Sequence, residues 1–361
     1  MTPILELLCY GVLVWLGLKL LVLLLNLGFF PVLAVERHGP GPAVSLLVPA
    51  RNEAHNLRET LPGLLLQEAQ EILVLNDGST DATPQVVEEF SRRDARLRLL
   101  SGLPKPEGWM GKTWACYQLA QAAQGEVLIF TDADVYWQEH GVRAVLARMT
   151  REQAGLVSVY PRQITPSLAE RILLPLIDDV LLCYLPYPLL QTPFPLASAA
   201  NGQVMAFTRW AYQASGGHQA VRGEVLEDVR LAQKTKAAKQ RIALALGGGL
   251  VAVRMYRSYT EIVEGLGKNL IEFHGRSRVI LALSYGAHLL AYTLCWPLTL
   301  LEPLWGLAGL LGLLERLLLN LKTGRPWWEW VLVPLAPLLS TPIYLHSGQR
   351  KYTWKGREYS R

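Results

Sequence analysis

The stretch EVLIFTDADVYW, residues 126–137, runs an apolar strand into two aspartates one residue apart and then returns to apolar residues. A strand apolar on both faces belongs inside a sheet covered by helices. An acidic pair at its end is either a surface turn or a place to hold a cation. Residues i and i+2 of an extended chain point the same way. Asp132 and Asp134 would then face one point beyond the strand and offer the oxygen donors that Mg2+ or Mn2+ prefer.

The same pattern repeats upstream. AVSLLVPA (43–50), EILVLN (71–76) and LRLLSG (97–102) read as strands, and NLRETLPGLLLQ (56–67), DATPQVVEEFSRR (81–93) and TWACYQLAQAAQG (113–125) carry helical spacing. This alternation predicts an α/β fold, an open and mostly parallel sheet whose ligands sit beyond the carboxyl ends of its strands. Downstream, a helix over 141–148 and the strand LVSVYPR (156–162) lead into a Leu/Pro/Tyr-rich span, 169–195. That span is too broken by proline to cross a bilayer and too apolar for an ordinary loop. It reads as a stretch against the membrane or lining an apolar acceptor groove, with a buried core helix and loop, or a re-entrant segment, as alternatives.

Only 18% of the 361 residues are charged and 51% are hydrophobic, whereas soluble domains carry roughly 25% charged residues. The shortfall lies at the two ends. Residues 4–33 contain only Glu6 and Lys19 as charges, and about 20 apolar residues suffice to span a bilayer. Without an N-terminal basic cluster or a small-x-small cleavage site, the segment reads as a retained anchor, not a signal peptide. The last third holds VILALSYGAHLLAYTLCWPLTLL, LWGLAGLLGLL and WWEWVLVPLAPLLSTPIYL, enough for two or three spans. Two spans plus an interfacial or re-entrant Pro-rich segment would keep the basic tail on the inside.

The expected division is an anchor (1–36), a Gly/Pro joint (39–42), a catalytic domain (43–275), a membrane region (279–345) and a basic tail (346–361). Net charge is +5, and Arg37, Lys268, Arg276, Arg278, Arg316, Lys322 and Arg325 flank the apolar segments. The tail adds Arg350, Lys351, Lys355, Arg357 and Arg361. Such flanks suit anionic headgroups on the cytoplasmic side of a cell membrane, and they form no nucleic-acid-binding arm. The four cysteines, Cys9, Cys116, Cys183 and Cys295, have neither zinc-site spacing nor the density of a disulfide framework.

Four short stretches fall where this sheet would hold ligands: Asn52-Glu53, residues 76–81 (NDGSTD), Asp132 with Asp134, and Glu227-Asp228. Any one alone is an ordinary turn; together on one rim they suggest a site. GWMGKT (108–113) fails as a nucleotide-binding phosphate loop because Pro106 stands where its first glycine is required. Lys112 still lies just before a helix, where a cation could meet a phosphate.

With these motifs in order, and with NGQVMAFTRWAYQASGGHQAVRGEVLEDVRLA, RMYRSYTEIVEGLGKN and YTWKGREY following, the chain resembles the inverting family 2 glycosyltransferases. The resemblance covers roughly 43–273 and is to the membrane-anchored branch acting on carotenoid acids and hopanoid lipids, and more distantly to ceramide glucosyltransferase. It implies a GT-A fold: a mostly parallel central sheet with helices on both faces, here with N- and C-terminal transmembrane helices. It also implies a nucleotide-sugar donor, a membrane lipid acceptor and a divalent cation, Mg2+ or Mn2+.

Residue by residue, the resemblance assigns Pro49, Ala50, Asn52, Glu53 and Asp77 to the nucleotide, Asp134 to the metal, and Asp132 to ribose or metal. Asp228 matches the catalytic base, with Glu227 beside it. Gly217, His218 and Arg222 would shape the acceptor loop, and Arg254 and Arg257 would lie near the acceptor or diphosphate. One departure is Ser258, where related membrane branches carry tryptophan; it argues against a processive synthase. No carboxylate is spaced for a covalent glycosyl intermediate, so a single inverting displacement is expected. A polyprenyl-phosphate, glycerolipid or sphingolipid acceptor is the alternative. A transporter would place its ionisable residues inside the apolar segments, whereas the acidic residues here collect in the middle of the chain. A catalytically dead scaffold would have lost Asp134 or Asp228, and both remain.

Overall fold

The computed structural model describes residues 3–35, 41–349, 351–354 and 357–360. Arg37, the first half of the 39–42 joint, and Arg350, Lys355 and Arg361 of the tail lie outside the described residues. Contacts divide the chain into two compact units. One comprises Phe30–Ile164 with Pro188–Arg254; the other comprises Met1–Phe29, Thr165–Tyr187 and Met255–Arg361.

The first unit is built on the five strands expected at 43–50, 71–76, 97–102, 126–131 and 156–162, together with five that were not expected. They are β1 (Val44–Ala50), β2 (Glu71–Asn76), β3 (Leu97–Ser101), β4 (Val127–Thr131), β5 (Val135–Trp137), β6 (Leu156–Tyr160), β7 (Arg162–Gln163), β8 (Val204–Thr208), β9 (Ile242–Leu246) and β10 (Val251–Val253). Seven of them form one sheet in the order β3-β2-β1-β4-β8-β6-β9. Neighbours run parallel except around β8, which is antiparallel to both β4 and β6. β5, β10 and β7 form a separate small sheet.

Helices Ala54–Leu65, Thr83–Ser91 and Gly111–Ala122 connect the parallel strands. Leu46, Leu47, Val48, Ile72, Leu73 and Val74 are wholly buried by this covering, each contributing about 1.5–3 kcal/mol relative to exposure. Because β1, β2 and β4 are parallel, their carboxyl ends share one rim. β8 enters from that rim, where Val204 pairs with Thr131.

Among its described residues the second unit contains three helices long and apolar enough to cross a membrane: Pro3–Phe29, Arg278–Leu298 and Leu304–Thr323. The remaining apolar stretch carries internal prolines at Pro334 and Pro342 and breaks into Trp327–Leu335 and Ala336–Ser347. The first part of the 169–195 span folds as helices Leu168–Leu173 and Pro175–Tyr184. Ile172, Leu173, Leu174, Leu181 and Leu182 are buried there, so this part follows the core-helix alternative.

The apolar segments also carry buried charge, which the sequence pattern did not show. Lys19 is 2% exposed, and its ammonium lies 3.0 Å from both Asp179 and Glu315. It also donates to the Tyr292 hydroxyl at 2.5 Å. Removing one partner of such a buried group strands the others. Lys19→Met is therefore expected to cost at least about 3 kcal/mol, read as a lowered thermal midpoint in detergent micelles. An unchanged midpoint would refute this role.

Candidate functional site

Two groups of side chains gather on the carboxyl rim of the sheet. The first ties the β1 loop to the β2 loop. Asp77 N donates to Ala50 O at 2.8 Å, and the Arg51 guanidinium donates to Asp77 O at 2.7 Å. Asn52 takes a left-handed backbone with φ of 55°, a conformation that asparagine tolerates better than most residues. Its side-chain oxygen accepts from Thr80 N at 2.8 Å, and its own N–H donates to Ser79 Oγ at 3.0 Å. Glu53 N donates to Thr83 Oγ1 at 2.8 Å, and Glu53 Oε2 accepts from Asn56 at 2.7 Å. Ala50, Asn52, Glu53 and Asp77 thus fall in one hydrogen-bonded patch, with Pro49 just before it in β1. Asp81 and Thr83, to which no role was given, hold it together: Asp81 accepts from Ala54 N at 3.1 Å and from Thr83 N at 3.0 Å.

The second group centres on Lys112. The helix begins at Gly111, so Lys112 lies inside its first turn and not before it. The ammonium sits 2.7 and 2.9 Å from the two oxygens of Asp132, 3.7 Å from Glu227 Oε1 and 3.1 Å from Gly202 O. Burial would lower its pKa, but Asp132 and Glu227 hold it above the ordinary lysine value. Gly202 is the pivot that the motif reading left without a role. Its N–H donates to Asp228 Oδ2 at 2.9 Å while its carbonyl accepts from Lys112. A Cβ there would lie 3.3 Å from both Glu227 Oε1 and Lys112 Nζ.

Asp132-Ala133-Asp134 is a turn between β4 and β5, closed by Val135 N donating to Asp132 O at 3.3 Å, and not an extended strand end. Burial nevertheless alternates: Ala133 is buried while Asp132 and Asp134 are partly exposed. Thr60 fixes the turn by donating to Ala133 O at 2.9 Å. The donor chemistry fits a hard cation, because carboxylate oxygens are on offer and a cation, the Lys112 ammonium, already bridges both oxygens of Asp132.

Glu227 and Asp228 open the helix Glu227–Ala237, where the partial positive charge favours carboxylates. Burial pushes Glu227 up to about 7, with Lys112 opposing and Asp228 adding to the rise. Asp228 is also raised by burial, against the N–H groups of Val229 and Gly202 and the Lys112 charge.

The remaining assigned residues are placed differently. His218 is 3% exposed, and its ring packs 4.6 Å from that of Phe130, with Nδ1 2.9 Å from the Tyr212 hydroxyl. It is a positioning residue for its loop, not a surface contact. Gly217 has φ of 52°, and a Cβ there would lie 2.5 Å from the Tyr212 ring. Arg222 ties this loop to the Lys112 helix, its carbonyl accepting from Met110 N at 2.7 Å. Arg254 follows β10, while Arg257 belongs to the other unit, where its N–H donates to Glu261 at 2.8 Å. Ser258 caps the helix Tyr259–Phe273 by accepting from Glu261 N. Capping requires a side-chain oxygen, which tryptophan lacks.

Burial, aided by Lys112, lowers His218 from 6.5 to about 3, so the folded protein keeps it neutral. The unfolded chain therefore binds the proton first, and this contribution is complete above pH 6.5 and lost as pH falls toward 3. Between pH 7 and pH 5 the loss amounts to about 2 kcal/mol. His218→Gln should flatten that part of a stability-against-pH curve, and an unaltered curve would remove His218 as its source.

A further group able to hold a metal ion lies in the second unit. Ligand atoms of Asp179, Cys183 and Glu315 come within 4.8 Å of one another, although the cysteine spacing gave no sign of it. The Lys19 ammonium supplies a positive charge beside both of its carboxylates.

Residues 45–191 match the model of the family Glycosyl transferase family 2. The 4,4'-diaponeurosporenoate glycosyltransferase of Staphylococcus haemolyticus is 25% identical over 287 residues, covering 74% of this chain and 69% of its own. That of Staphylococcus aureus is 25% identical over 344 residues, covering 88% of each chain. A mannosyltransferase from Pyrobaculum calidifontis, solved in complex with GDP-Man and Mn2+, superposes with a TM-score of 0.55. At 18% identity it covers 95% of this chain and 98% of its own, a likeness of fold. The ordered motifs, the sheet topology and these relatives agree: residues 45–191 match glycosyl transferase family 2, and the chain is a GT-A fold glycosyltransferase using a nucleotide-sugar donor and related to the diaponeurosporenoate glycosyltransferases.

Proposed function

We propose that the protein is an inverting, non-processive glycosyltransferase that moves a sugar from a UDP-sugar to an isoprenoid lipid of the membrane, working from the cytoplasmic face. The observation that carries this reading is the convergence of Asp132, Glu227 and Lys112 at the sheet rim, with Asp228 joined to them through Gly202. The Ala50–Asp77 patch would bind the base and ribose. Asp134, with Asp132, would hold a divalent cation, which when bound supplies positive charge to the departing diphosphate.

Lys112, already carrying its charge among the carboxylates, would add a second cation on the same side. Asp228 faces the acceptor in this reading. It would take the proton of an acceptor hydroxyl held within about 3 Å, and its raised pKa makes it a stronger base than an ordinary aspartate. A carboxylate acceptor, as the name of the staphylococcal relatives denotes for those enzymes, is already ionised and needs only orientation. The three apolar helices support an acceptor that lives in the bilayer, and Ser258, where related membrane branches carry tryptophan, supports a single transfer without chain growth.

The deciding experiment supplies membranes containing the protein with a panel of UDP-sugars and total lipid extract. The product is identified by mass and anomeric configuration. A β-linked product from an α-linked donor, on an isoprenoid lipid, is expected; retention of configuration or a water-soluble acceptor would overturn the proposal.

A further inference from the structure

No Asp, Glu, Lys or Arg occurs between Asp179 and Arg209. Within this run, in the first unit, Leu189, Phe194 and Leu196 are 50%, 66% and 88% exposed. Scattered exposed apolar side chains are ordinary, but the backbone beneath these is not. Pro188, Pro193 and Pro195 have no N–H to satisfy. Gln191 N donates to Pro188 O at 3.3 Å, Thr192 N to Leu189 O at 3.1 Å, and Ala197 N to Phe194 O at 3.1 Å.

Three carbonyls then converge on one ammonium. Lys236 reaches from the helix Glu227–Ala237 and donates to Leu190 O at 2.8 Å, Phe194 O at 3.4 Å and Ala197 O at 2.5 Å. Lys236 is itself 6% exposed. For a loop in water this arrangement has little use, since water satisfies carbonyls and burying an ammonium costs desolvation. In hydrocarbon the balance reverses, because irregular backbone persists there only when its polar groups are satisfied from within.

We propose that residues 188–197 form an insertion loop that enters the acyl region of a bilayer leaflet through Leu189, Phe194 and Leu196, with Lys236 as the positioning residue that satisfies its carbonyls there. The membrane-spanning helices of the same chain make lipid the apolar phase at hand. The loop continues through the buried Ala199 and Ala200 into Asn201-Gly202, whose Gly202 contacts Asp228 and Lys112. Its depth therefore sets the height of the carboxylate group above the leaflet. This inference rests on the loop and the apolar helices alone, and does not depend on which acceptor is used.

The test places a polarity-sensitive fluorophore at Phe194→Cys, at Leu196→Cys and, as a control, at Leu66→Cys, a site in the same unit that is 63% exposed. The four native cysteines are buried, and the unsubstituted chain labelled in parallel sets the background. The full chain is reconstituted in phosphatidylcholine and phosphatidylglycerol vesicles with bromines on the acyl chains, about 5–10 Å below the headgroup boundary. Blue-shifted emission and loss of intensity to the bromines are expected at positions 194 and 196 and not at 66. Equal, water-like emission at all three overturns the proposal. So does blue-shifted emission without bromine quenching, which would mean a protein partner, or quenching that appears only when lipid acceptor is added. Lys236→Met should return the label at 196 toward the emission seen at 66, while Lys236→Arg keeps it quenched. Quenching retained in Lys236→Met would remove Lys236 from the device.

Discussion

Asp134→Ala is expected to lower sugar transfer by at least about 10²–10³-fold, the scale seen when one electrostatic contact to developing charge is removed. Asp134 sits in a turn whose backbone is fixed by Thr60 and by the Asp132–Val135 hydrogen bond, so truncation of the side chain should leave the turn intact. Asp132 by itself is a poor replacement, because it shares its oxygens with the Lys112 ammonium. Two measurements separate the outcome from misfolding. Calorimetry should show that Mn2+ strengthens UDP binding to the parent protein and not to the variant, while the thermal midpoint is unchanged. Transfer that survives both Asp134→Ala and a chelator would end the metal reading.

Asp228→Asn is expected to reduce the rate by about 10²–10⁴-fold if the acceptor is an alcohol. Asparagine can keep the hydrogen bond from Gly202 N or the one from Val229 N through its single carbonyl oxygen, and the geometry is largely preserved. What disappears is the capacity to take a proton. The pH profile carries the sign. Burial raises both Asp228 and Glu227, and a base works only when deprotonated. The acid limb of the parent profile should thus lie above the ordinary aspartate range, with activity lost as pH falls through it. Because the two carboxyls interact, that limb belongs to the pair. A near-parental rate in Asp228→Asn, with no shift of the limb, would indicate a carboxylate acceptor or another base.

Much of the fold was legible because the signals are local. β2 matches its predicted span, 71–76, and β1 and β4 begin within a residue of theirs, since helix-covered parallel strands must be continuously apolar. β8 and its reversal were not legible: NGQVMAFT reads only as part of a motif, and its direction depends on which neighbours it finds. The Asp132–Asp134 pair was visible as a candidate site, whereas its turn geometry and its capture of Lys112 were not. Lys112 and Asp132 are 20 residues apart, and Glu227 is more distant still. The second unit hid more. Lys19 looked like an isolated charge in an anchor, and its partners Asp179 and Glu315 lie 160 and 296 residues away.

The sequence by itself determined the parallel strands and their helices, the family resemblance and the candidate carboxylates, because apolar periodicity, turn chemistry and motif order are properties of short stretches of chain. Only the tertiary structure decided how those groups are engaged. It made Gly202 the link between Asp228 and Lys112, turned His218 into the core, and gave Lys236 to three carbonyls of an uncharged loop. The physical reason is that hydrogen bonds and ion pairs act over a few ångströms in space, and separation along the chain carries no record of them.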